Sequence, residues 1–151
     1  MGLAALIGPE LIFPHLGGLD RPTVLRDLAE RVAAAGRVAD PDKLYQKLWE
    51  REQLGSTGIG AGVAVPHCKL KGIDRPVMAV GVAAKAIEFG AVDGKPVAVF
   101  FLVVSPEDEP AEHLRALAEI SRWARADRHV ERLRKAEDAD AIFELLRREA
   151  G

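Results

Sequence analysis

The sequence predicts an α/β domain with a central mixed β-sheet and helices on both faces. Three observations carry that expectation. Residues 97–104, Val-Ala-Val-Phe-Phe-Leu-Val-Val, are the most apolar run in the chain. A strand apolar at every position is buried on both sides, which takes helices on both faces of its sheet. Amphipathic helical patterns lie before and after the strand-like segments, so the order is helices, strands, helices. The 151 residues show no internal repeat, low-complexity tract or linker. A chain of that length buries one core, and a single domain over residues 1–151 is expected.

The elements follow in order. Residues 3–16 begin with a short strand or turn. Segment 21–35 reads as a helix: Val24, Leu25, Leu28 and Val32 recur at helical spacing. Asp20 is placed to cap it, Pro22 fits its first turn and Gly36 its C-terminal stop. Asp40-Pro41 opens a second helix that runs to about Gln53, with Leu44, Tyr45, Leu48 and Trp49 inward and Arg51 and Glu52 at its end. Strands are expected over 62–66, 77–84 and 97–104, with Asp93-Gly94 as a turn. Ser105 to Pro110 reads as a loop. A helix over 111–125 should bury Leu114, Leu117, Ala118 and Ser121, and shorter helices near 127–135 and 138–149 close the chain.

Composition excludes several classes. Hydrophobic residues make up 48% and charged residues 29%, as in ordinary globular proteins, and the net charge of -2 gives no electrostatic basis for nucleic-acid binding. No apolar run approaches the roughly 20 residues of a membrane span. The N-terminus lacks the basic start of a signal peptide. The one cysteine, Cys68, cannot form an intrachain disulfide. A reducing, cytoplasmic setting is expected.

Residues 51–68 hold the densest glycine run, with Gly55, Gly58, Gly60 and Gly62 leading to Pro66 and His67. Gly55 and Gly60 have Walker A spacing, but Ala61 and Gly62 stand where lysine and a hydroxyl residue belong. Gly58 and Gly60 begin a dinucleotide fingerprint that fails at Val63, and the order of helix and strand is inverted. Cys68 is a poor nucleophile candidate, because neighbouring side chains on extended backbone point to opposite faces and His67 is badly placed to activate it. It reads as a small packed residue. The four histidines (15, 67, 113, 129) are scattered and give no metal framework.

His67 remains as a nucleophile in its own right. Its neutral imidazole nitrogen is available near neutrality and accepts phosphoryl groups. Phosphoryl transfer asks mainly for positioning and for stabilisation of charge on the oxygens. Arg51 offers a planar fork of donors suited to phosphate. Ser56 and Thr57 add hydroxyls, and Gly58 with its neighbours lets backbone N–H groups approach an anion. Ser56 and Thr57 fit equally well as turn-formers.

The residues Arg51-Glu52, Gly55-Ser56-Thr57-Gly58-Ile59-Gly60 and Val65-Pro66-His67 resemble the signature of the fructose/mannitol-type enzyme IIA domains of the bacterial sugar phosphotransferase system (PTS), a family that includes the nitrogen-regulatory enzyme IIA proteins. The likeness continues through Phe89 to Val97 and from Pro106 to His113-Leu114, and so covers nearly the whole chain. It implies the EIIA fold and a histidine phosphocarrier, a phosphotransferase component needing neither metal nor cofactor. It implies that His67 is phosphorylated by the phosphocarrier HPr or its nitrogen-branch homologue, that Arg51 contacts the phosphoryl group, and that His113 is the second active-site histidine. Onward transfer to an enzyme IIB would serve sugar uptake. Binding to a target protein would serve regulation, and a chain holding only the IIA-like domain tilts the expectation that way. A third alternative is a protein that keeps the fold without onward transfer. Two residues depart from the usual pattern. Ala61 stands where the family has Asn, and Cys68 adds bulk where a small residue, often glycine, is usual.

Overall fold

The computed structural model describes residues 7–126 and 128–149. The part of the expected N-terminal element before residue 7 lies outside them. A short 3-10 turn, Pro9–Leu11, leads into strand β1, Ile12–Leu16. Helix α1 (Arg21–Ala34) starts where Asp20 caps it: the Asp20 carboxylate accepts from the Thr23 N–H at 3.0 Å, and the Thr23 hydroxyl accepts from the Asp20 N–H at 3.2 Å. Asp40 caps helix α2 (Pro41–Gln53) by accepting from the N–H groups of Asp42 and Lys43. The strands β2 (Gly58–Gly60), β3 (Val63–Ala64), β4 (His67–Leu70), β5 (Val77–Ile87) and β6 (Val97–Pro106) follow. Helices α3 (Pro110–Arg125), α4 (His129–Lys135) and α5 (Ala139–Glu149) end the described chain. No helix among the described residues is long and apolar enough to cross a membrane.

The strands form one mixed sheet in the order β1-β5-β6-β3-β2, with β4 also paired to β6. β1 runs parallel to β5, β5 antiparallel to β6, and β3 and β4 both parallel to β6. Every residue of β6 is buried, as its unbroken apolar run requires. Its alternation divides the interior. Phe100, Leu102 and Val104 join Leu25 and Leu28 of α1 and Leu44 and Leu48 of α2 on one face. Val99, Phe101 and Val103 join Ile120 and Trp123 of α3, Leu133 of α4 and Ile142 and Leu146 of α5 on the other. Full burial of each such large side chain contributes about 1.5–3 kcal/mol.

Three expectations need correction. Of the strand expected over 62–66 only β3, Val63–Ala64, forms, and a further strand, β4, starts beyond it at His67. Both have β6 as neighbour, and the break between them falls at Val65-Pro66. Pro66 has no N–H to donate, so the ladder is interrupted there while its carbonyl still accepts from Val103 at 3.0 Å. β6 continues through Ser105 and Pro106, which the sequence places in a loop. The inward face of α3 is His113, Ala116, Ile120, Trp123 and Ala124, and Leu114 is 66% exposed. Ile120 and Trp123 lie on that inward face, which is offset by one residue, about 100°, from the expected stripe. Of that stripe Leu117 still packs partly buried against the core.

The turn joining β2 to β3 uses left-handed backbone at each of Gly60, Ala61 and Gly62, with φ of 97°, 58° and 81°. Its centre is held by the Ala61 N–H donating to the Asp93 carboxylate at 3.0 Å. Alanine is strained in this region, which Asn visits more readily. Ala61→Asn is therefore expected to raise stability by up to about 1 kcal/mol in urea unfolding, and an unchanged or lower midpoint would contradict the strain.

Candidate phosphoryl-acceptor site

His67 opens β4, directly after the break at Pro66. Its Nδ1 lies 2.8 Å from the Val65 carbonyl oxygen. A carbonyl only accepts, so Nδ1 carries the proton and Nε2 holds a lone pair. That lone pair accepts from Arg51 Nε–H at 3.3 Å. Arg51 reaches the ring from the last turn of α2, and its Nη1 donates to the Gly55 carbonyl at 2.8 Å. His113, in the first turn of α3, has its ring centre 5.3 Å from that of His67. His113 Nδ1 is 2.7 Å from the Ser105 hydroxyl. Arg51, His67 and His113 are thus brought together from α2, β4 and α3, at a cleft of about 560 Å³ that Lys47, Glu50, Leu54, Cys68 and Lys69 also line.

Ser56, Thr57 and Gly58 do not line this cleft. The Ser56 hydroxyl donates to the Phe89 carbonyl at 2.7 Å and accepts from the Gly58 N–H at 3.0 Å. The Thr57 hydroxyl and N–H both donate to the buried Glu52 carboxylate, at 2.5 and 3.0 Å. Gly58 is needed for close approach, since a Cβ there would meet the Ala91 Cα and Cβ at 2.8 Å. These residues shape the loop that carries Gly55, the carbonyl that holds Arg51. Glu52 and Ser105 are residues to which the sequence alone assigns no role at the site. Both are buried polar groups, but their partners, Thr57 and His113, become visible only in the fold.

Burial lowers the His67 pKa below its ordinary value, the Val65 bond opposes that, and the Arg51 charge lowers it further. The His113 pKa is pushed down to about 4, first by burial, then by the charges of His67 and Lys69. Both rings are therefore neutral near pH 7. Cys68 turns into the core shared with α1 and α2, and burial pushes its thiol up to about 12, which makes it an inert packing residue. Among the described residues no group of three His, Cys, Asp or Glu side chains gathers as a metal set.

The lowered His113 pKa has a consequence for stability. Between its ordinary value of 6.5 and about 4 the unfolded chain binds the proton and the folded chain does not. Folding is therefore expected to weaken as pH falls through that window. Urea midpoints at about pH 7 and about pH 4.5 are expected to differ less in His113→Gln than in the parent chain. Equal pH dependence in the two would contradict this origin.

The family model described as "Phosphoenolpyruvate-dependent sugar phosphotransferase system, EIIA 2" matches residues 5–149. A "Nitrogen regulatory protein" of Bradyrhizobium diazoefficiens is 36% identical over 146 residues, covering 97% of this chain and 95% of that protein. Another of Pseudomonas aeruginosa is 35% identical over 145 residues, covering 95% of this chain and 94% of that protein. The crystal structure of nitrogen regulatory protein IIA-Ntr from Neisseria meningitidis superimposes with a TM-score of 0.87 at 24% identity, over 95% of this chain and 98% of that one.

Proposed function

Because the chain belongs to the EIIA type 2 family of the phosphoenolpyruvate-dependent sugar phosphotransferase system, we propose that His67 is its phosphoryl acceptor and that phosphorylation of this ring is a regulatory signal. The observation that carries the reading is the polarity of the His67 ring. Its proton is committed to Val65, and its lone pair faces a cleft lined by Lys47, Arg51 and Lys69.

The donor is the phosphohistidine of an HPr-type phosphocarrier. As the new P–Nε2 bond forms, the donor's P–N bond breaks and its electron pair returns to the donor ring. His67 keeps its Nδ1 proton, so the ring gains positive charge, which the Val65 carbonyl faces. Arg51 loses its acceptor when the lone pair becomes a bond. Its donors then serve the phosphoryl oxygens while the Gly55 carbonyl still holds its other end. Lys47 and Lys69 offset the incoming charge. The phosphate-binding role assigned from sequence to Ser56, Thr57 and Gly58 passes in this reading to these cations.

Regulation is favoured over sugar uptake by the nitrogen-regulatory names of relatives that align with nearly the whole chain. A phosphoryl group would place about -1.5 to -2 of charge at the cleft, by analogy with phosphorylated hydroxyl side chains. Leu54, 85% exposed, lies on the rim where a target protein would meet it. Onward transfer to an enzyme IIB is the second reading.

Incubation with a phosphorylated HPr-type carrier is expected to give an acid-labile phosphohistidine that maps to His67. His67→Ala should take up none, and Arg51→Ala should slow uptake about 100-fold, the scale for loss of one charge-stabilising donor. Undiminished labelling of His67→Ala would overturn the assignment. Chase of the label onto a purified IIB would favour transport over regulation.

A further inference from the structure

We propose that Ser105 is a positioning residue that fixes His113 as the Nε2–H tautomer, the opposite of His67, so that only one of the two facing rings can accept a phosphoryl group. The proposal rests on the reading of His67 as acceptor.

Ser105 is fully buried near the end of β6, in register with Lys69 of β4. Its hydroxyl makes one hydrogen bond among the described residues, to His113 Nδ1 at 2.7 Å. Counting protons decides its direction. If Nδ1–H donated to the serine oxygen, the serine O–H would be a donor sealed in the interior with no acceptor, the costlier kind of unpaired group. If the serine O–H donates, Nδ1 accepts and no donor of the pair is stranded. A neutral imidazole carries one ring proton, which then sits on Nε2. Burial keeps the ring neutral, as its pKa of about 4 agrees.

The same proton count gives the opposite answer for His67, because its Nδ1 faces a carbonyl, which cannot donate. The two rings, with centres 5.3 Å apart, therefore present unlike Nε2 atoms. His67 offers a lone pair. His113 has its one lone pair tied to Ser105 and offers an N–H instead. It can stabilise a phosphoryl oxygen by a hydrogen bond without competing for the phosphorus and without carrying a proton that must leave. No proton moves between the rings during transfer. The bonds made and broken are those at His67 and the donor alone.

The test begins with the resting protein, free of any phosphoryl donor. In 15N-labelled chain, long-range 1H–15N correlation is expected to give His113 a pyridine-type Nδ1 and a pyrrole-type Nε2, with the reverse pattern at His67. Ser105→Ala should move the His113 pattern toward Nδ1–H and slow phosphorylation of His67 about tenfold. Ser105→Thr, which keeps the hydroxyl, should restore both. A pyrrole-type Nδ1 at His113 in the parent chain would overturn the proposal, as would a His113 pattern unchanged in Ser105→Ala. If His67 takes up no phosphate, the acceptor reading fails, while the resting spectrum still decides the tautomer.

Discussion

The hydrogen bond from His67 Nδ1–H to the Val65 carbonyl is the constraint on which the site depends. It settles which ring nitrogen carries the proton and which holds the lone pair. Its origin is a defect in the sheet. β3 and β4 lie along the same neighbour, β6, but the chain between them passes through Pro66, which has no N–H for the ladder. Val65 is tied back to the Thr57 carbonyl through its own N–H at 2.9 Å, and Pro66 is tied to β6 through its carbonyl. The backbone is therefore fixed on both sides of the break, and the imidazole that follows can turn back on Val65. A continuous strand over these residues would spend such carbonyls on ladder partners.

A second layer holds Arg51. Glu52 is buried with a carboxylate, which is costly unless its oxygens are paired. Thr57 supplies both donors, so the end of α2 and the start of the glycine loop are closed on one another. That closure sets Gly55, whose carbonyl positions the Arg51 guanidinium against His67. Pre-set donors stabilise charge without rearranging when it develops, which is the economical way to assist phosphoryl transfer. The glycine-rich loop thus bears on the His67 cleft through the Gly55 carbonyl and the Ser56 and Thr57 anchors.

Much of the fold was legible because its signals are local. Asp20 and Asp40 each announce a helix start within a few residues, and the apolar run of β6 is readable as a doubly covered strand without knowing its neighbours. Arg51 beside His67 was legible from residue chemistry along one stretch of sequence, whereas His113, which comes from a separate element, entered only through the family resemblance. What was missed depends on contacts distant in sequence. The Ser56 hydroxyl looked free for phosphate but is bonded to Phe89, 33 residues away. The face of α3 was misread because Leu114 is apolar yet exposed, while His113 is polar yet buried by its bond to Ser105. Ser105 in turn looked like loop, because Pro106 and the acidic residues after it hide the last residues of β6.

In the proposed function, Nε2 of His67, polarised by Val65 and faced by Arg51, receives the phosphoryl group. The most direct measurement is heteronuclear NMR of the phosphorylated, 15N-labelled chain, reading which nitrogen couples to phosphorus. The expected result is coupling to Nε2 of His67, with the Nδ1 proton retained. Coupling to Nδ1 of His67, or to either nitrogen of His113, would contradict it.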